Sequence, residues 1–156
     1  MPLDYTDLGQ YRENNRIEAK KAQGGLPHSI WETYSAFANA LGGVILLGVI
    51  ETEDKSFDSV PLPDPEGLAA EFLRLVNDPA VASINLLGPN DVRIVESEGN
   101  RIVVITVPPA TRTQRPVYVG PSAACGTYRR CGEGDYRCSP EEVRQMFADR
   151  AAPDNA

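Results

Sequence analysis

Apolar and polar residues follow three distinct patterns in the first third of the chain. Residues 16–20 alternate with a period of two, which predicts a strand with its charged side chains on one face. Ser29 and Glu32 form a helix-capping pattern, and the residues from there to Leu41 place apolar side chains at helical spacing. Gly42 suits the end of that helix, and the unbroken apolar run at 44–49 is typical of a strand buried on both faces.

The rest of the chain predicts a second helix, a β-rich middle and a last helix. Asp64 and the proline after it have the residue types that cap and begin a helix, and Ser139 with Glu142 repeats the capping pattern. A Glu-Gly-Asn sequence at 98–100 is a typical hairpin turn. The strand-like segments cover residues 84–87, 92–97, 101–107, 116–120 and 127–130, and the last helix ends near residue 150. The pattern predicts an α+β fold in which a mixed β-sheet packs against two main helices.

Length and composition agree with one domain. The chain has 156 residues, of which 42% are hydrophobic, so we predict a single core over residues 1–150 and a disordered tail at 151–156. No apolar run reaches 18 residues and the first ten residues have no signal-peptide pattern, so we expect a cytoplasmic protein without membrane contact. The three cysteines lack Cys-x-x-Cys spacing, and reduced thiols are predicted.

Charge is distributed unevenly along the chain. The net charge is −7, which by itself disfavours a polyanionic partner. Residues 51–98 hold eleven acidic and three basic residues, whereas residues 109–137 hold five arginines and two acidic residues. Arginines interleaved with tyrosines suit phosphate contacts and base stacking, although the same arginines could pair with the protein's own carboxylates. The candidate nucleic-acid contacts are Arg112, Arg115, Tyr118, Tyr128, Arg129 and Arg130.

A second candidate site consists of acidic residues near the ends of two strands. Glu18 and Lys20 lie on the same face of the first strand, and Glu51 follows the buried run. With Glu13 they form an oxygen-rich set suited to Mg²⁺ or Mn²⁺, and Lys20 could stabilise charge on a phosphate. The alternative is a plain cluster of ion pairs on a solvated strand face. No phosphate-binding glycine motif and no Ser/His/Asp or Cys/His arrangement is present.

Three segments together resemble the Schlafen-type Alba-like domain family, which in bacteria often precedes a divergent AAA-type ATPase region. They are Glu13 with Glu18-Ala19-Lys20, the stretch SAFANALGGVILLGVIE, and the stretches RPVYVG and GTYRRCGEGDYRCSPEEV. Their order and spacing hold over roughly residues 10–147. The resemblance implies an α+β Alba-like core associated with nucleic acid. No ATPase or winged-helix region follows in this sequence, so we expect either a stand-alone protein or an excised N-terminal domain whose ATPase or winged-helix partner lies outside this chain.

The resemblance also implies a catalytic alternative. In the ribonuclease members of the group, two glutamates and a later aspartate form a metal-dependent site that cuts structured RNA. Glu13 and Glu18 match the glutamates, Glu51 stands in place of the aspartate, and Lys20 matches a neighbouring lysine. Ala19 replaces an aromatic residue of the family pattern. Eukaryotic members use two lobes where this chain has one, for which a homodimer could substitute.

Three hypotheses follow. The first is a non-catalytic nucleic-acid-binding domain, directed to DNA and of the transcriptional-regulator type. The second is a Mg²⁺- or Mn²⁺-dependent endoribonuclease with Glu13, Glu18 and Glu51 as metal ligands. The third is a protein-interaction or oligomerisation module whose acidic middle faces a partner.

Overall fold

A four-stranded mixed sheet forms the centre of the computed structural model, which describes residues 3–153. The elements are a 3₁₀ turn at Leu8–Gln10, β1 Ile17–Lys20, α1 Ile30–Ala38, β2 Gly43–Leu47, β3 Val49–Glu51, β4 Phe57–Ser59, α2 Pro65–Val76, β5 Val92–Ser97, β6 Asn100–Val107, α3 Ala123–Gly126, β7 Tyr128–Cys131, β8 Gly134–Arg137 and α4 Pro140–Ala151. The strand order of the central sheet is β1-β2-β6-β5, with β1 parallel to β2 and the other neighbours antiparallel. The hairpins β3–β4 and β7–β8 form two small additional sheets. The α+β prediction is confirmed.

Apolar cores lie on both faces of the central sheet. Alternate residues of β2 and β6 enter different clusters, because successive side chains of a strand point to opposite faces. One cluster joins Ile45 to Phe37 of α1 and Phe72 of α2, all fully buried. The other joins Leu46 to Leu8 and Phe57. The main helices thus cover one face, and the 3₁₀ turn with β4 covers the other.

Helix capping follows the sequence in two of three predicted places. The Asp64 side chain accepts a hydrogen bond from the backbone N–H of Gly67, at 3.0 Å, and Ser139 with Glu142 forms a complete capping box. Ser29 makes no capping bond to α1, so that part of the prediction is wrong. Its Oγ instead accepts a hydrogen bond from Nζ of Lys20, at 3.1 Å.

The predicted strand at 44–49 is divided into β2 and β3. Gly48 separates them with φ at +89°, and a Cβ there would lie 2.9 Å from the Leu62 side chain. This left-handed backbone conformation strongly favours glycine. The chain therefore leaves the central sheet at Gly48, and β3 pairs with β4 instead. The break places Glu51 in a different sheet from the one that the uninterrupted apolar run suggested.

Residues 84–87 do not form a strand, contrary to prediction. The Tyr34 hydroxyl donates to the carbonyl of Ile84 at 2.7 Å and accepts from the N–H of Leu86 at 3.1 Å. A buried side chain from α1 thus satisfies backbone groups that a neighbouring strand would otherwise pair.

Two buried polar side chains, Ser35 of α1 and Asn39 directly after it, hold the C-terminal segments against the helix. Asn39 donates through Nδ2 to the carbonyls of Val117 and Tyr128, at 2.9 and 3.0 Å, and accepts from Val117 N–H at 2.8 Å. Ser35 donates to the Val117 carbonyl at 2.7 Å and accepts from Tyr128 N–H at 2.9 Å. The polar residues of the SAFAN sequence therefore fasten distant backbone in place.

The ends of the chain are described only in part. Residue 151, the first residue of the predicted tail, is the last residue of α4, and residues 154–156 of that tail lie outside the described part. No helix within residues 3–153 is long and apolar enough to cross a membrane.

Candidate functional site

An arginine from β7 forms the centre of the polar site. Nη2 of Arg130 lies 2.9 Å from Oε1 of Glu18, and its Nη1 lies 2.7 Å from Oδ1 of Asp135. The other carboxylate oxygen of Asp135 accepts a hydrogen bond from the buried hydroxyl of Thr33, at 2.6 Å. The network therefore joins β1, α1 and both strands of the C-terminal hairpin.

The remaining donors of Arg130 are bound to backbone. Its guanidinium donates to the carbonyls of Asn14 and Ile17 at 2.7 and 3.1 Å, and its carbon centre lies 4.8 Å from the ring centroid of Phe37. Only 1% of the Arg130 side chain is exposed. The fold thus binds the guanidinium of Arg130 internally, and the predicted contact with nucleic acid would require it to leave these partners.

Glu18 and Lys20 are also largely buried. Nζ of Lys20 lies 3.7 Å from Oε2 of Glu18, and the two side chains are 10% and 16% exposed. The sequence analysis gave a cluster of ion pairs on a solvated strand face as the alternative to a metal site. The ion pairs are present, but the face is not solvated, because neither side chain is more than 16% exposed. Burial raises the pKa of Glu18, while the positive charges of Lys20 and Arg130 oppose that shift.

Glu13 approaches the same cluster from the segment before β1. Its Oε1 accepts a hydrogen bond from Ala19 N–H at 3.2 Å. Burial, and then the negative charge of Glu18, raises the pKa of Glu13 to about 7, and Glu51 adds a smaller repulsion. Glu18 and Glu51 therefore both lie within electrostatic range of Glu13.

The donor set does not fit a metal ion in this arrangement. Among the side chains of residues 3–153, no three or more of His, Cys, Asp or Glu are placed to hold one ion. The two oxygens of Glu18 already face Arg130 and Lys20, which supply the positive charge that a metal would bring. Ligation of Mg²⁺ or Mn²⁺ by Glu13, Glu18 and Glu51 would require these carboxylates to change partners.

The exposed face of the β7–β8 hairpin carries another part of the predicted surface. Arg129 pairs with Glu142 of α4 at 3.0 Å and lies 5.8 Å from the ring centroid of Tyr136. Arg129 is 44% exposed and Glu142 is 40% exposed. In the neighbouring register pair of the hairpin, exposed Arg137 lies opposite Tyr128. These two arginines keep solvent access, unlike Arg130.

The segment before the hairpin packs against the end of α4. Nη1 of Arg112 donates to the carbonyls of Asp149 and Ala152. Arg115 is half-buried, and its own carbonyl accepts from Nε of Arg150 at 2.7 Å. Tyr118 is half-buried and its backbone forms an isolated bridge to Thr127. The predicted contacts at 112–118 are thus separated from the hairpin by α3, and none of them is a partner of Arg130.

A cavity of about 510 Å³ opens between α1, the 119–120 segment and β7. Its aromatic walls are Trp31 and Tyr128, and its polar lining includes His28 and Glu32. A volume of this size is typical of small-ligand sites.

A family model described as Schlafen, AlbA_2 matches residues 13–139. The chain belongs to this Schlafen AlbA_2 family. The matched range includes Glu13, Glu18, the buried side chains Ser35 and Asn39, and the whole β7–β8 hairpin. The network around Arg130 and the cavity therefore both lie within the Schlafen AlbA_2 domain.

Two solved structures resemble this Schlafen AlbA_2 domain. One is the N-terminal domain of a protein from Nitrosomonas europaea described as related to the ATP-dependent DNA helicase RecG. It is 31% identical, with a TM-score of 0.63, over 88% of this chain and 94% of that one. The other is the DIP2311 protein from Corynebacterium diphtheriae, 16% identical with a TM-score of 0.56, which supports the fold alone. The match covers 90% of this chain but 25% of the Corynebacterium chain. No protein with a curated description matches.

Sequence reasoning missed several residues of the Schlafen AlbA_2 domain that form its sites. Asp135 and Thr33 complete the network of Arg130, and Trp31 with Glu32 lines the cavity. The apolar spacing of α1 did predict a buried face, but it could not show which helix positions border a cavity formed by residues some 90 positions later.

Proposed function

We propose that this domain binds nucleic acid without cutting it, is directed to DNA, and acts as a regulatory module. The observation that carries the proposal is the 31% identity, over 88% of the chain, to the N-terminal domain of a protein described as related to a DNA helicase. Membership of the Schlafen AlbA_2 family supports the same association with nucleic acid. The non-catalytic part of the proposal rests on Glu18, whose two carboxylate oxygens face Arg130 and Lys20.

The contact surface proposed here comprises Arg115, Arg129 and Arg137. Arg129 and its partner Glu142 are both about two-fifths exposed, so their ion pair contributes at most about 1 kcal/mol to stability. A phosphate can therefore take the place of Glu142 at little cost. Tyr128 and Tyr118 lie beside these arginines in the chain and offer rings for base contacts.

Salt dependence of binding tests this proposal. Three phosphate contacts release about three counterions, which predicts a log–log slope near −2.7 on duplex DNA and about a 40-fold loss of affinity between 50 and 200 mM salt. Fluorescence anisotropy of a labelled 20-base-pair duplex measures the slope. Absence of binding at 50 mM salt, or affinity that salt does not change, would remove the proposal.

Matched arginine variants show whether the proposed surface carries the binding. Arg129→Gln should reduce the steepness of the salt slope by about one, because one phosphate contact is lost. Arg101→Gln is the control, since Arg101 also forms an exposed pair with a glutamate, Glu66, at the far hairpin end of β6. Equal effects of the two substitutions would place the contact surface elsewhere.

The alternative function is a metal-dependent ribonuclease, in which Glu13, Glu18 and Glu51 would exchange their present partners for a metal ion; Glu18 and Glu51 both lie within electrostatic range of Glu13. The test is incubation of the protein with tRNA and Mn²⁺ beside a Glu18→Gln variant. Cleavage by the wild type alone would establish the nuclease and overturn the non-catalytic proposal. Equal cleavage by both proteins would indicate a contaminant.

The third hypothesis, an interaction or oligomerisation module, makes a different prediction about size. Light scattering with and without DNA distinguishes it, because a stable dimer whose mass is unchanged by DNA would favour a protein partner. A monomer that forms a complex with DNA would favour the proposed function. The homodimer expected from the sequence is tested in the same measurement.

A further inference from the structure

The cavity beside α1 has two rigidly held aromatic walls. The Trp31 ring stacks on Phe72 with centroids 5.0 Å apart and planes 6° from parallel. Tyr128 is held through its backbone, because its N–H bonds to Ser35 and its carbonyl accepts from Asn39. Neither wall depends on a mobile loop for its position. Rigid aromatic walls favour a planar apolar ligand, since little conformational freedom is lost on binding.

The cavity has a negatively charged group in its lining and a positively charged group beside it. Glu32 lies in its lining, and exposed Arg137, which is opposite the lining residue Tyr128 in the β7–β8 register, is attracted by Glu32. A carboxylate inside the cavity disfavours a phosphate there, whereas it accepts hydrogen bonds from amino groups. The guanidinium at the rim can meet a phosphate that remains outside.

We propose that this cavity receives an unpaired nucleobase that carries an exocyclic amino group, a proposal that rests on the nucleic-acid binding proposed above. The base lies against Trp31 and Tyr128, its amino group donates to Glu32, and its backbone phosphate meets Arg137. A base inside a duplex is stacked and paired, so it cannot enter. The domain therefore prefers single strands or flipped bases, and prefers cytosine or adenine to thymine, which has no amino group.

Trp31 supplies a direct reporter, because it is the single tryptophan of the chain. The experiment titrates the protein at 50 mM salt with oligo(dC), oligo(dA), oligo(dT) and a duplex of equal length, following tryptophan emission together with anisotropy of the labelled strand. We expect quenching of Trp31 by oligo(dC) and oligo(dA), and about tenfold weaker binding of oligo(dT). The duplex should bind without quenching.

Variants in the cavity test the role of the Tyr128 ring and the role of the Glu32 carboxylate separately. Tyr128→Leu should weaken binding of oligo(dC) about tenfold through loss of stacking, whereas Tyr128→Phe keeps the ring and should bind nearly as the wild type. Glu32→Gln should abolish the preference over oligo(dT) and serves as the decisive variant if Tyr128→Leu does not fold. Phe147→Leu is the control, because Phe147 is an exposed aromatic residue that does not line the cavity.

The outcomes distinguish this inference from the proposed function. Equal, salt-dependent binding of single strands and duplex, with Trp31 emission unchanged and no effect of Glu32→Gln, would overturn the cavity proposal and leave the proposed function standing. No binding of any nucleic acid at 50 mM salt would overturn both. The inference would be supported if oligo(dC) quenches Trp31 more than oligo(dT) does in the wild type, and if the two strands quench equally in Glu32→Gln.

Discussion

Removal of the guanidinium of Arg130 should destabilise the fold more than any other single charge change in the network. The substitution Arg130→Met keeps an unbranched side chain over Phe37 but takes away the bonds to Glu18 and Asp135 and those to two backbone carbonyls. The two carboxylates would remain 16% exposed, without their strongest partner. An uncompensated charge in such a position is costly, because burial disfavours the ionised form.

The expected loss of unfolding free energy is about 3 to 5 kcal/mol, the range for breaking one side of a buried ion pair. A domain of ordinary stability, about 5 to 15 kcal/mol, would remain largely folded in water. The loss should be smaller at pH 5 than at pH 8. Burial already raises the pKa of Glu18, and loss of the Arg130 charge that opposes this shift would raise it further, so protonation at the lower pH relieves the penalty.

Urea unfolding followed by circular dichroism at pH 5 and pH 8 measures this loss. Arg129→Met is the matched control, since the neighbouring Arg129 forms only an exposed pair and should cost less than about 1 kcal/mol. Arg130→Lys should lie between the two, because it keeps the charge and loses the forked geometry. Equal losses for the two methionine variants, or a loss for Arg130→Met that does not change with pH, would refute the argument.

Three further changes test the hydrogen bonds of Asn39, the contact between Gly43 and Phe37, and the acidic cluster. Asn39→Ala should cost about 2 to 3 kcal/mol, measured by thermal melting, because it leaves buried backbone groups of two separate segments unpaired. Gly43→Ala should cost about 1 to 3 kcal/mol, because its Cβ would lie 2.8 Å from the Phe37 ring, whereas Gly24→Ala, in open space, should be nearly neutral. The pKa of Glu13 is raised to about 7, so the folded state binds the extra proton and stability should fall as pH rises towards 8; Glu13→Gln should flatten that dependence in urea midpoints.

The acidic site shows how far a sequence argument extends. The period of two correctly placed Glu18 and Lys20 on one face of β1, and the strand ends brought Glu13 and Glu51 into electrostatic range. The sequence could not show that Arg130, 112 residues after Glu18, would enter the cluster and occupy it. Local patterns report neighbours in the chain, whereas the charge state of a buried group depends on whatever the fold brings beside it.

By itself the sequence determined the α+β class, the helices α1, α2 and α4, the caps at Asp64 and Ser139, and the β5–β6 hairpin, because helical and strand periodicity, cap chemistry and turn chemistry act over a few residues. Only the tertiary structure decided that the chain leaves the main sheet at Gly48, that Tyr34 replaces a strand partner for residues 84–87, and that the arginines divide into one buried and several exposed ones. Each of those outcomes depends on contacts between residues far apart in the chain, which no local pattern encodes.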